Sequence, residues 1–221
     1  MKKRSYPRRW GRLYERYLAQ YLPERKEEIC ERADEKYREL MKELPDIGLH
    51  ENGIAGSMET WFCIVAFYEA SDHVVGGEAF QVIHGWHIDS MRILGKVIDA
   101  NRDLWVYKLF AKIYERYQRQ LAVHRKKGEW TQAWDVKINP EGRREGYCFH
   151  LVGCPIARHA REHGYESLLP WLCKTDHELA EVLHARLIRT QTEILGGEYC
   201  DYWYVGDRSP ALEEFRGLPK I

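Results

Sequence analysis

The sequence predicts an α+β protein, with a helical N-terminal part packed on a small antiparallel sheet with flanking helices. Two observations carry that expectation. Residues 7–127 place apolar side chains three and four apart, as in "RRWGRLYERYLAQYL", where Trp10, Leu13, Tyr14, Tyr17, Leu18 and Tyr21 recur at helical spacing. From Trp130 the pattern changes to short aromatic and β-branched runs, "TQAWDVKI" and "GYCFHLV", separated by the turn-rich "NPEGRRE". This reading assigns residues 1–128 to a helical part and 129–221 to an α+β part, which can also form one continuous domain.

Local punctuation then sets each element. Pro23 ends the first run and can open the next, "ERKEEICERADEKYRELMKEL", which reaches Pro45. "SMETWFCIVAFYEASDHV" begins with Ser57 as N-cap, carries Glu59 near its first turn and stops near Gly76-Gly77. "EAFQVIHGWHIDSMRILGKVI" and "LWVYKLFAKIYERYQRQLAVHRKKG" complete the set, the last ending at Gly128. In "GCPIARHAREHG", Pro155 fits the first helical position and Gly164 the stop. "LLPWLCKTDHELAEVLH" is a second helical region, and "ARLIRTQTEILGGEYCDYWYV" reads as a hairpin with Gly196-Gly197 at or beside its turn. The tail "GDRSPALEEFRGLPKI" has turn residues and no assignment.

Lys+Arg and Asp+Glu number 34 each among 221 residues, so the net charge is zero. A general nucleic-acid binder would show a basic excess. The N-terminal "MKKRSYPRRW" is basic, but no apolar run of signal-peptide length follows it. The longest apolar stretch, "WFCIVAF" at 61–67, is far short of the ~20 residues that span a bilayer. The expectation is a cytoplasmic protein with neither nucleic acid nor membrane as partner. There is no dinucleotide-binding glycine motif after a strand, no P-loop, no nucleophile elbow and no His-Glu-x-x-His.

Four of the six cysteines, Cys148, Cys154, Cys173 and Cys200, lie in the last third; Cys30 and Cys63 precede them. In a reducing compartment such thiols are buried residues, nucleophiles or metal ligands. Cys154 precedes Pro155, which makes it the N-cap, where the positive helix end would promote ionisation; a half-buried small residue is the alternative. Cys173 has two readings. "TDHE" is a capping box with Thr175 as N-cap and Glu178 at N3, which explains those residues without chemistry. If the helix instead begins at Pro170, then Cys173, Asp176 and His177 share one face. In "EYCDYWYV", Cys200, Tyr202 and Tyr204 point one way, and Tyr199, Asp201 and Trp203 the other. An even-length hairpin loop puts Arg189 and Gln191 on the Cys200 face and Thr190 and Thr192 beside Asp201; an odd one reverses this.

Cys154, Cys173 and Cys200, with Asp176 or His177, are of the right types to hold zinc, although no Cys-x-x-Cys pair exists. A reactive thiol beside an acid or imidazole fits as well. His84 and His87 read as buried histidines, His159 and His163 as surface residues, and Tyr14, Tyr17 and Tyr21 as a core stripe.

The stretch from Gly153 to Tyr204 resembles the L-2-amino-thiazoline-4-carboxylic acid hydrolase family. The likeness rests on a Cys before a helix (Cys154), Cys-x-x-Asp (Cys173, Asp176), Arg-Thr-x-Thr (Arg189, Thr190, Thr192) and Gly-Gly-x-x-Cys-Asp (Gly196, Gly197, Cys200, Asp201) followed by an aromatic. A fainter likeness is to vinyl-reductase-type small-molecule-binding domains. The first resemblance implies a hydrolase that opens a cyclic amidine such as 2-aminothiazoline-4-carboxylate to an N-carbamoyl product. It implies a small-molecule substrate, Cys173, Asp176 and Cys200 as catalytic residues, and Arg189, Thr190, Thr192 and Asp201 as substrate-binding residues. Tyr202 and Trp203 could wall the pocket. Zinc on Cys154, Cys173 and Cys200 is the metal form of the same idea, and a non-catalytic sensor module is the rival class.

Overall fold

The computed structural model describes residues 4–51 and 53–220. Met1, Lys2 and Lys3 of the basic N-terminal segment lie outside them. The described residues form eight α-helices and one four-stranded antiparallel sheet, an α+β fold. The helices before the sheet are α1 (Arg8–Tyr21), α2 (Lys26–Leu40), α3 (Gly56–Ala70), α4 (Gly77–Gly95) and α5 (Trp105–Lys126). They are followed by β1 (Asp135–Ile138), β2 (Tyr147–Val152), α6 (Pro155–His163), α7 (Leu169–Val182), β3 (Ala185–Ile188), β4 (Cys200–Gly206) and α8 (Ala211–Glu214). Among the described residues no helix is long and apolar enough to cross a membrane.

The chain forms two compact units, Met1–His87 and Ile88–Ile221. In the first, α3 is buried on nearly all sides, from Trp61 through Phe67. The Tyr14 ring stacks on Phe67 with centroids 4.1 Å apart. The expected tyrosine stripe holds only at Tyr14: Tyr17 is half-buried and Tyr21 is 50% exposed. Ser57 lies inside α3 rather than capping it, and its hydroxyl donates to the Ile54 carbonyl. The helix also ends earlier than the Gly76-Gly77 signal suggests. The Ser71 hydroxyl accepts from the Val75 N–H, Asp72 and His73 take positive φ of 55° and 70°, and Asp72 bonds Arg25 and Arg32 at 2.7 Å each. A polar side-chain network therefore stops α3 before glycine is needed.

His84 and His87 are buried beside Trp10, as core histidines. Burial, with His87 adding to it, pushes His84 down to about 4. Unfolded, the same ring takes its proton near 6.5. Between those values the unfolded chain holds more protons, so His84 contributes stability above pH 6.5 that is lost as the pH falls toward 4. We expect His84→Leu to flatten the pH dependence of urea unfolding over that window, by about 3 kcal/mol at most.

In the second unit the sheet order is β1-β2-β4-β3, antiparallel throughout. The sequence reading assigns α5 to the helical part, but α5 lies on this sheet. The Tyr117 hydroxyl donates to the Trp134 carbonyl at 2.6 Å, and the Gln118 amide donates to the Val136 carbonyl at 3.1 Å. A helix on a sheet and a helix in a bundle both show one apolar stripe, so pattern alone does not separate them. The register pairs Phe149 with Tyr202, Tyr147 with Tyr204 and Leu187 with Tyr204. Strand alternation therefore divides the sheet. One face carries Tyr147, Phe149, Leu151, Cys200, Tyr202 and Tyr204, and α5 covers it through Phe110 against Tyr204 and Tyr114 against Phe149. The other carries Cys148, His150, Ile188, Asp201, Trp203 and Val205, against which Leu212 and Phe215 of the C-terminal tail pack.

A loop over residues 139–146 joins β1 to β2, as the turn-rich sequence predicts. Asn139 closes it by bonding both backbone groups of Arg143, at 2.8 Å and 3.0 Å. Gly146 ends it at φ +71°, and a Cβ there would sit 1.9 Å from the Tyr204 carbonyl oxygen. At Gly142 (φ +64°) a Cβ would meet open space. Gly146→Ala should cost about 3 kcal/mol, and Gly142→Ala about 1 kcal/mol, in the free energy of urea unfolding.

Candidate active site

The site is built from the ends of four elements on the α5-covered face. Cys154 is the N-cap of α6, and its sulfur accepts from the Ala157 N–H at 3.5 Å. Gly164 closes that helix at φ 77°, so both ends match the sequence reading. The expected acidification of the thiol does not occur. Burial raises Cys154, and a carboxylate already occupies the helix end: Glu193 accepts from the Gly153 N–H at 2.6 Å and the Cys154 N–H at 3.0 Å. Sequence reasoning missed Glu193, whose only signal is its place just after Arg-Thr-x-Thr.

α7 begins at Leu169 with Pro170 in its first turn, so the capping box does not form. Thr175 is internal, and its hydroxyl donates back to the Leu172 carbonyl at 2.6 Å. The stronger start signal lies upstream, where Pro170 fits the first turn without an N–H. Cys173, Asp176 and His177 therefore share a face, the second of the two readings. Asp176 reaches the end of β3, where Arg189 Nη2 donates to its Oδ2 at 2.6 Å. Arg189 is 1% exposed. Its Nη1 donates to the Cys173 carbonyl at 3.1 Å, and its guanidinium lies 4.2 Å over the Tyr202 ring. A charge this deep is tolerable only when paired and hydrogen-bonded, and Asp176, about one-third exposed, is its carboxylate partner.

Asp201 lies on the opposite face. It accepts from the Thr190 N–H and Thr190 hydroxyl, at 2.9 Å and 2.8 Å, and from the Gln191 N–H at 2.8 Å. Asp201 and Thr190, expected to bind substrate, fasten the strand connection through these bonds. Arg189 pairs across to α7 and not with Asp201. Trp203 also lies away from the site: it donates to the Glu145 carbonyl at 2.8 Å and packs against Phe215. Tyr202 lies under the Arg189 guanidinium. Thr192 is wholly buried, and its hydroxyl has no hydrogen-bond partner among the described residues. His159, expected at the surface, is buried and stacked on His163 and Tyr165.

Cys173 feels Cys154, Cys200 and Arg189 electrostatically, and Cys200 feels Cys154 and Arg189, so the three thiols share one neighbourhood. Burial pushes Cys200 up to about 12, and burial together with Asp176 and Cys154 pushes Cys173 higher. The Glu193 N–H, 3.4 Å from the Cys200 sulfur, opposes the rise. The zinc reading does not fit this spacing. Among the described residues the three sulfurs do not lie within 4.8 Å of one another, whereas tetrahedral Zn–S bonds of about 2.3 Å set sulfurs ~3.8 Å apart.

The fold and site together define an α+β protein with three thiols near a buried arginine and its aspartate partner. The model of the L-2-amino-thiazoline-4-carboxylic acid hydrolase family matches residues 57–204, more than half of the chain, and the chain belongs to that family. The match begins at Ser57 and so takes in α3, α4 and α5, beyond the C-terminal motifs. Neither the curated proteins nor the solved structures contain a match.

The ion pair predicts its own mutational signature. Asp176→Ala strands the Arg189 charge and should lower stability by about 3 kcal/mol in urea unfolding; Asp176→Asn, which keeps an acceptor, should cost less than half of that.

Proposed function

We propose that this protein hydrolyses a small cyclic amidine, of which 2-aminothiazoline-4-carboxylate is the type, to an N-carbamoyl product. The observation that carries the reading is the Arg189–Asp176 pair set against Cys173 and Tyr202, on the face that also bears Cys200. Family membership supplies the reaction type.

Ring opening adds water across C2. The water oxygen becomes the new carbonyl oxygen, the C2–S bond breaks, and the two protons end on the sulfur and the ring nitrogen. Asp176, held in one orientation by Arg189, is placed to move a proton. In the covalent branch, Cys173 or Cys200 adds to C2 and the ring sulfur leaves with a proton. Water then attacks the same carbon, releasing the enzyme thiol and the urea product. Arg189 is already bonded to Asp176, so pairing with the substrate carboxylate requires it to share that partner. The unpartnered Thr192 hydroxyl supports a polar ligand group nearby, since a buried hydroxyl gains about 1–3 kcal/mol when satisfied.

The product carries a free thiol that the substrate lacks, so turnover is read by thiol release. Cys173→Ala, Cys200→Ala, Asp176→Asn and Arg189→Lys are each replaced singly. We expect at least one thiol variant and Asp176→Asn to lose about 100-fold or more. Near-unchanged turnover in all four folded variants sinks the reading. The suppressed ionisation of Cys173 and Cys200 favours one rival, a vinyl-reductase-type sensor module. Saturable binding of the thiazoline without thiol release would establish that instead.

A further inference from the structure

The face of the sheet away from the proposed site holds a second chemical cluster. Cys148 and His150 are alternate residues of β2, so both point to that face. They are 3% and 5% exposed. The β1–β2 hairpin folds back over them and delivers Glu141. The ligand atoms of Glu141, Cys148 and His150 all lie within 4.8 Å of one another. Glu141 Oε1 is 3.1 Å from His150 Nε2, while its other oxygen takes the Arg143 guanidinium at 2.6 Å. Hence one carboxylate oxygen faces the cluster and the other is held from outside.

The loop that presents Glu141 is also fixed by contacts outside the cluster. Asn139 ties both backbone groups of Arg143, and the Gly142 N–H donates to the Asn139 carbonyl at 3.1 Å. Arg143 is itself anchored over the Trp203 ring at 4.1 Å. Tyr199 stacks on the His150 ring at 4.1 Å and sets its plane. Beside Glu141 and Cys148 lies a cavity of about 50 Å³, bordered also by Arg143, Thr190 and Asp201.

We propose that Glu141, Cys148 and His150 form a binding site for a zinc-class divalent cation, separate from the thiols of the proposed active site. Thiolate, imidazole and carboxylate are the donors that borderline cations such as Zn²⁺ and Co²⁺ take. Three protein ligands leave a further coordination position, and the bordering cavity has room for water there. Binding exchanges the Cys148 thiol proton for the metal and releases it to solvent, with no redox change. The cation would bridge the hairpin loop to β2, the central strand beside β4.

The test is titration of the full-length, chelator-stripped protein with Co²⁺ alone, read by the near-ultraviolet thiolate-to-cobalt band, and with Zn²⁺ by competition. We expect one equivalent bound with a thiolate band. The band should vanish in Cys148→Ser and survive in the combined Cys154→Ser, Cys173→Ser, Cys200→Ser protein. Glu141→Gln changes an exposed loop residue, keeps the fold, and should weaken Co²⁺ binding at least 10-fold, so the proposal stays testable if Cys148→Ser does not fold. Absence of stoichiometric binding, unchanged affinity in Glu141→Gln, or loss of the band in the triple variant with retention in Cys148→Ser would each overturn it. None of these readouts uses ring opening, so the proposed function stands or falls separately.

Discussion

A guanidinium sealed inside the second unit organises much of what surrounds it. Arg189 leaves β3 at the point where a side chain facing the covered side of the sheet would ordinarily be apolar. Burying its charge is costly unless carboxylate, carbonyl and aromatic partners are all in place. They come from separate segments: Asp176 and the Cys173 carbonyl from α7, and the Tyr202 ring from β4. The ion pair thereby fixes α7 against the edge of the sheet. It also places the Cys173 and Asp176 pair, one turn apart on a helix, over the strand that carries Cys200.

The connection between β3 and β4 is the second part of the frame. Asp201 uses both carboxylate oxygens on Thr190 and Gln191, which turns the chain as it leaves β3. Glu193, a few residues on, sits at the N-terminal end of α6, and its own N–H meets the Cys200 sulfur. One short segment therefore touches β4 and α6 in sequence. Adjacent residues of the Cys-Asp motif serve opposite sides of the sheet: Cys200 faces the thiol neighbourhood, and Asp201 secures the backbone that shapes it. Residues that look alike in a motif here do different physical work.

The thiols are protected more than they are activated. Their burial disfavours the thiolate, so chemistry at sulfur would depend on what a bound ligand brings: displacement of water, positive charge shared from Arg189, and proton transfer through Asp176. Asp176 is about one-third exposed, so solvent reaches the pair from the α7 side. The opposite face follows another logic. There Cys148 and His150 meet a rigid hairpin rather than a helix end, and the arrangement suits a held cation rather than a reacting substrate.

Local grammar was legible wherever a residue acts through its own neighbours in the chain. Pro155 and Gly164 bracket α6, the turn-rich stretch makes the β1–β2 loop, and alternation puts Cys200 with Tyr202 and Tyr204, because backbone stereochemistry dictates each within a few residues. The start of α7 shows the limit: two valid helix-start signals lay five residues apart, and the earlier one wins in the folded chain. The placement of α5 on the sheet, the burial of His159, the pairing of Arg189 with Asp176 rather than Asp201, and the occupation of the α6 terminus by Glu193 came only from the tertiary structure. Each depends on which surfaces meet across long stretches of chain, and the energy that decides it, desolvation of a charge or ring against its partners, exists only once those surfaces are brought together.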